Sequence, residues 1–231
     1  MNDFSSEEFF ALLSANEKQK CERLFDERDR QLHILSRAWL RKLLGSMTGT
    51  DPSEIIFGET ATGKPFVKEH AEIHFSVTHT DEVFVIALTN GLRVGADVEK
   101  LDRCIVIDKL SDFLFSDAEF QQFISLRKEE CAETLISCWT RKEALLKALG
   151  TGLTVPMNQV EVEFRPGKTP AVVSVFGSVT ESRNWSLQSF DLDCKYRVAV
   201  AVRGEMKNQE RFNLASLSCN HQPLTAELLR K

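Results

Sequence analysis

The sequence predicts an α+β protein of two similar subdomains, on three observations. Residues 16–44 carry a helical apolar stripe, and residues 73–99 follow it with alternating strand patterns. Residues 104–149 return to a helical pattern. Residues 160–202 then alternate again, so the order is helix, strands, helix, strands. This order sets an N-terminal subdomain at 1–103, a C-terminal subdomain at 104–204 and an irregular, polar, peripheral tail at 205–231. No internal repeat is strong enough to prove duplication.

In the first helical region, Leu24, Phe25, Leu32, Leu35, Trp39, Leu43 and Leu44 supply the stripe, with a break expected near Asp29. Asn16 with Gln19 reads as the helix start and Gly45 as the stop. Glu54 to Phe57 is a short strand candidate, followed by a loop rich in Gly and Thr from Gly58 to Pro65. Residues 73–99 read as an antiparallel meander, with Asn90-Gly91 favouring a tight hairpin between Val83–Leu88 and Leu92–Val98. Ser116-Asp117-Ala118-Glu119 is a capping box opening a helix, and a further helix runs from about Ala132 to Leu149, ended by Gly150. Val160 to Phe164, Ala171 to Phe176 and Tyr196 to Val202 are the strands of the second half.

The 231 residues, 42% hydrophobic and 27% charged, suit a globular chain with a real core. The six cysteines form no C-x-x-C pair, so neither a zinc knuckle nor a redox motif is indicated, and their scatter fits a reducing cytosol. Met1 to Phe10 carries acids rather than a basic segment and does not read as a signal peptide. No apolar run approaches the length of a membrane span. The expectation is a cytoplasmic, soluble protein. A net charge of −5 argues against general nucleic-acid binding, which needs excess Lys and Arg to displace counterions. A local basic cluster is present nonetheless, in Arg23, Arg28, Arg30, Arg37, Arg41 and Lys42.

Carboxylates stand where apolar residues belong. In Val94-Gly95-Ala96-Asp97-Val98-Glu99, strand alternation sends Val94, Ala96 and Val98 to the core and Gly95, Asp97 and Glu99 to the other face. Two carboxylates at i, i+2 repel unless a cation sits between them, and carboxylate oxygens are the ligands Mg²⁺ takes. The alternative is a solvated strand face. In the second helix, Ile136, Trp139, Glu143, Leu146 and Lys147 share one stripe, which puts Glu143 at the centre of an apolar face. A carboxylate there is costly unless it is paired or metal-bound. Lys147, one turn on, is a candidate partner, though an i,i+4 Glu–Lys pair is also common on helix surfaces. Phe75-Ser76-Val77-Thr78-His79-Thr80 ends a strand with hydroxyls flanking an imidazole, a group that can bind phosphate. In Gly63-Lys64-Pro65, Pro65 restricts Lys64 to extended backbone and so helps aim its ammonium.

In this order and spacing, these segments resemble the 4′-phosphopantetheinyl transferases of the Sfp type. The matching elements are Gly63-Lys64-Pro65, Phe75 to Thr80, Val94 to Lys100, and Trp139-Thr140-Arg141-Lys142-Glu143-Ala144-Leu145-Leu146-Lys147, within about residues 30–160. Two positions depart from the family pattern: Thr78 stands where a serine is usual, and Ala96 where a larger aliphatic is common. The resemblance implies a pseudo-twofold α+β fold with coenzyme A in the cleft between the halves. It implies transfer of the phosphopantetheine arm to a serine of an apo acyl, peptidyl or aryl carrier protein, with release of adenosine 3′,5′-bisphosphate. By that match Asp97, Glu99 and Glu143 hold Mg²⁺ with the pyrophosphate, and Asp97 thereby belongs to the coenzyme A site as well. Glu143 is the base for the serine proton, and Lys147 neutralises the leaving phosphate. Arg37, Lys64 with Pro65, Thr78 and His79 face the 3′-phosphate and adenine end. A monomer, with neither nucleic acid nor membrane as partner, is favoured. Arg41, Lys42, Arg103, Lys109, Arg127 and Lys128 are candidates for the surface that docks an acidic carrier.

Two other readings of the same residues stay open. Asp, Glu and Lys around Mg²⁺ also suit a nuclease or phosphodiesterase, which the lack of a basic excess disfavours. A non-catalytic module that binds coenzyme A or a carrier would use the carboxylates merely to join the halves.

Overall fold

Two long helices enclose the sheets. A computed structural model describes residues 6–80, 82–102, 111–151, 155–206 and 212–216. The N-terminal half holds helices α1 (Ser6–Ala11), α2 (Ala15–Glu22) and α3 (Glu27–Thr48), then strands β1 (Phe57–Glu59), β2 (Pro65–Val67), β3 (Ile73–His79), β4 (Val83–Asn90) and β5 (Val94–Lys100). The second half holds α4 (Ser111–Leu114), α5 (Asp117–Ile124) and α6 (Lys128–Leu149), then β6 (Val160–Glu163), β7 (Ala171–Val175), α7 (Val179–Ser182), β8 (Trp185–Leu192) and β9 (Tyr196–Arg203). Strand β10 (Phe212–Ser216) follows. The mixed α+β class is thus as expected, with a 22-residue helix ahead of the main strands in each half.

The two main sheets have strand orders β10-β4-β3 and β5-β9-β8, and the pairs β1-β2 and β6-β7 stand apart from them. Their cores define four layers. Helix α3 lays Leu32, Leu40 and Leu44 on Phe75, Phe84, Ile86 and Leu88. Val83, Val85 and Ala87 of β4 meet Val94, Ala96 and Val98 of β5 and Val198, Val200 and Val202 of β9 between the sheets. Ala144, Leu145 and Ala148 of α6 cover Ala199 and Ala201 on the far face. Alternation along β4 and β9 therefore feeds two cores from one strand, as both faces are covered.

Local signals differ from the sequence expectation at several points. The helical region breaks between Glu22 and Glu27, ahead of Asp29, because Asp26 caps the backbone N–H groups of Arg28 and Asp29. Ser14 with Glu17, rather than Asn16 with Gln19, forms the capping box of α2. Gly45 does not stop α3, which runs on to a left-handed cap at Gly49 (φ 74°). At Gly45 a side chain would stand 2.8 Å from the Thr50 carbonyl oxygen, so close packing selects that glycine. The strand expected at Glu54 to Phe57 is a 3-10 turn at Pro52–Glu54 followed by β1. The second long helix begins at Lys128, ahead of Ala132.

The largest difference concerns the meander. Residues β3 and β4 pair throughout, but β5 pairs with β9, in register from Val94↔Val202 to Lys100↔Tyr196. The second edge of β4 is taken by β10, from Phe212↔Ala87 to Ser216↔Val83. The tail expected to be irregular thus supplies a strand at 212–216, and with both edges of β4 occupied the chain crosses at Gly91 (φ 79°) into the other sheet. Beside this crossing β3 and β5 are joined by side chains: the Ala96 N–H donates to Ser76 Oγ at 3.0 Å.

Candidate active site at the junction of the two sheets

The site begins with Gly95. A side chain there would stand 2.1 Å from the Ala144 carbonyl oxygen and 2.3 Å from the Ala148 nitrogen, both backbone atoms of α6. Absence of a side chain lets strand and helix touch along their backbones. Asp97, two residues along the strand, is consequently buried at 4% exposure. The Gly95–Asp97–Glu99 face is covered by α6 at its first two positions and opens only toward Glu99, so it is not a solvated strand face.

From Thr134 to Ala148, α6 is buried at every position except Trp139, Glu143 and Lys147, spaced one turn apart. Glu143 therefore does not interrupt an apolar face, as its spacing with Ile136 and Leu146 had suggested. It is the middle of the one partly open stripe on a helix otherwise enclosed by sheet, α5 and β6.

Asp97 joins the two halves. Its Oδ1 accepts from Lys147 Nζ at 2.6 Å and from the Thr78 hydroxyl at 3.2 Å, with Lys147 Nζ also 3.4 Å from Thr78 Oγ1. Its Oδ2 is buried with no hydrogen-bond partner. Burial pushes the Asp97 carboxyl up to about 7; Lys147 opposes the shift, and the neighbouring charges of Glu99 and Glu143 add to it. A buried carboxylate oxygen without a donor, beside two further carboxylates, is the chemistry of a cation site. Among the described residues no group of three metal-ligating side chains stands close enough to hold an ion by itself. The carboxylates suit a cation only where a ligand's oxygens complete its coordination.

Arg37, Lys64, Pro65 and Lys147 line one cavity of about 300 Å³, with Phe75 and Val77 as its apolar wall. Lys64 donates through Nζ to the carbonyl oxygens of Lys147 (2.6 Å) and Val94 (3.0 Å), so it ties β5 to α6 at the cavity wall. Burial, with Arg93 nearby, lowers its ammonium to about 8. Arg37 and Pro65 also border a larger groove of about 850 Å³, where Lys20, Arg23 and Lys68 add positive charge. His79 is exposed at the end of β3, near enough to His33 to act with Arg37 in lowering its pKa, after burial as the main cause.

Sequence reasoning missed His33. It stands one turn before Arg37 on α3, and its Nε2 is buried without a partner; that i−4 spacing was the available signal. It also gave no role to Lys142, which is fully buried, pairs with Glu119 Oε2, and donates to the carbonyl oxygens of Leu114 (2.7 Å) and Met157 (3.2 Å). Within the proposed docking set, Arg41 is corrected. It is 1% exposed, pairs with Glu17 at 2.8 Å and donates to the carbonyl oxygens of Pro52 and Ile55. Lys42 Nζ stands over the rings of Phe9 and Trp39, at 4.9 and 5.7 Å. Arg127 and Lys128 are exposed, and Arg103 and Lys109 lie outside the described residues.

Comparison with known proteins gives this arrangement its class. The sequence model of the 4′-phosphopantetheinyl transferase superfamily matches residues 93–201, and that of the 4′-phosphopantetheinyl transferase N-terminal region matches residues 3–90. A Synechocystis sp. protein named "Putative 4′-phosphopantetheinyl transferase" is 30% identical over 211 residues, covering 88% of this chain and 84% of its own. The 4′-phosphopantetheinyl transferase HetI of Nostoc sp. is 27% identical over 84% of this chain and 80% of its own. The 4′-phosphopantetheinyl transferase Sfp of Bacillus subtilis is 23% identical over 85% of each. The chain belongs to the 4′-phosphopantetheinyl transferase family.

Proposed function

We propose that the protein transfers the 4′-phosphopantetheine arm of coenzyme A to a serine hydroxyl of an apo carrier protein, releasing adenosine 3′,5′-bisphosphate. The observation that supports this most is Asp97: buried, held on one oxygen by Lys147 and Thr78, with the other oxygen left without a donor beside Glu99 and Glu143. The cavity lined by Arg37, Lys64 and Lys147 adds a cationic wall suited to a phosphate-rich substrate. In this reading His79 and Thr78 join Arg37, Lys64 and Pro65 in holding the adenosine 3′-phosphate end.

Magnesium would be held by Asp97, Glu99 and Glu143, and when bound it supplies charge neutralisation on the pyrophosphate. The protein's own groups do the rest. Asp97 Oδ1 anchors the Lys147 ammonium at 2.6 Å, so this cation is fixed before substrate arrives and stabilises the leaving phosphate without reorganising. Glu143, on the open stripe of α6, accepts the serine proton directly or through a water. The serine oxygen then forms its bond to the phosphorus of the pantetheine phosphate as the bond to the departing adenosine 3′,5′-bisphosphate breaks. We further read the protein as a cytoplasmic monomer; no helix of the described residues is long and apolar enough to cross a membrane.

The test is product release. Coenzyme A, Mg²⁺ and the protein should yield adenosine 3′,5′-bisphosphate only when an apo carrier with its serine intact is present. Release that ignores the serine, or proceeds equally without a carrier, would sink the transfer reading in favour of hydrolysis.

A further inference from the structure

Away from this site, a second cavity of about 330 Å³ lies between the first half of α6, the start of β9 and the 164–168 loop. Its wall contains two buried guanidinium groups, Arg141 at 6% and Arg197 at 9% exposure. Their circumstances differ. Arg197 is fully engaged: Asp191 and Glu133 each pair with it at 2.6 Å, and the Ser137 hydroxyl accepts from it as well. Arg141 has no carboxylate partner among the described ion pairs; it donates to the Glu163 carbonyl oxygen at 2.6 Å, and its Nε is buried without any acceptor.

The nearby acids are already committed. Glu133 serves Arg197, Glu130 and the exposed Glu129 share Arg127 at 2.7 and 3.7 Å, and the Glu163 carboxylate is taken by Arg165. Of the two other cations in the lining, Arg165 is held by Glu163, and Lys168 has no acidic partner among the described ion pairs. Burial and the like charge of Arg197 lower the Arg141 guanidinium only to about 10, so it stays charged at neutral pH. Arg141 lines the cavity as a buried, charged guanidinium whose Nε has no acceptor, and such a group is stabilised by an anion that reaches it.

We propose that this cavity binds a small oxyanion, a phosphate group held by Arg141 with Lys168 at the mouth. Arg141 precedes Glu143 by two residues, and so points to the opposite side of α6 from the open stripe. The site is thus separate from the coenzyme A pocket and stands whether or not the transfer reading holds. Filling it clamps α6 to β9 and to the 164–168 loop, which makes the anion a stabiliser of the fold.

Inorganic phosphate is the probe, titrated against thermal unfolding at constant ionic strength, with NaCl as the control and acetate as a second arm. The wild-type midpoint should rise saturably with phosphate and hardly with NaCl. A rise with acetate as large as that with phosphate would show a carboxylate site and overturn the phosphate assignment. Lys168→Ala, a surface change, should weaken the apparent phosphate affinity several-fold, and Arg141→Met should abolish the response. If Arg141→Met fails to fold, Lys168→Ala decides alone, together with protection of the 164–168 amides from hydrogen exchange by phosphate. A phosphate response unchanged in Lys168→Ala, or one lost instead in Arg37→Ala, assigns the anion to the coenzyme A pocket and overturns the proposal.

Discussion

Asp97 carries two demands at once: it must hold Lys147 in place and still offer an oxygen to a cation. Its two oxygens divide that work, Oδ1 against Lys147 and Thr78, Oδ2 without a donor. Asp97→Asn keeps the shape and removes the charge. We expect turnover to fall by about 10²–10³-fold while stability does not fall, because the charge removed is one that burial disfavours; kinetics beside urea unfolding read both. The pH dependence follows from the raised carboxyl. With a folded value of about 7 against 3.8 unfolded, the native state holds this proton more tightly, so the group's contribution to stability is complete below 3.8 and is lost as pH rises to about 7. Cation binding runs the other way, since it needs the carboxylate. Apparent Mg²⁺ affinity should fall about tenfold per pH unit below 7, and an affinity flat between pH 8 and 6 would contradict the assignment. These residues were legible because strand alternation and helical spacing are local. Arg41 was not, since its partner Glu17 lies 24 residues away and only the folded chain brings them together.

Among the elements, the contact of β5 with α6 decides the site. Gly95→Ala places a methyl group against two backbone atoms of α6 that cannot turn aside. It should cost about 3 kcal/mol in urea unfolding, and it should reduce turnover in the surviving folded fraction by pushing Asp97 from Lys147. The other joint of α6 is the buried Lys142–Glu119 pair, where Glu119 Oε1 also accepts the Val162 N–H at 3.0 Å. Lys142→Met leaves a buried carboxylate uncompensated and should cost about 3–5 kcal/mol. Adding Glu119→Gln, which removes that charge and keeps an acceptor, should restore part of the loss; a double variant weaker than the single would show that the pair is not what matters. The helices were largely legible from period and caps. The partner of β5 was not, because alternation says which face a strand buries and nothing of which distant strand meets its edge.

For the molecule as a whole, the α+β class was readable from the order of patterns, whereas the four-layer stacking was not. That stacking puts β5 of the first half and α6 of the second in contact, and so assembles Asp97, Glu99, Glu143 and Lys147 from segments about 50 residues apart. Exposed Arg127 and Lys128, at the start of α6, remain our proposed contacts for an acidic carrier, with Lys42 in the first half. The most direct measurement follows the intact mass of an apo carrier incubated with the protein, Mg²⁺ and coenzyme A. The account predicts a gain of one phosphopantetheine arm on the carrier serine with the wild type, and none on the same timescale with Glu143→Ala. Modification by Glu143→Ala at the wild-type rate, or no gain on any acyl, peptidyl or aryl carrier with the wild type, would contradict it.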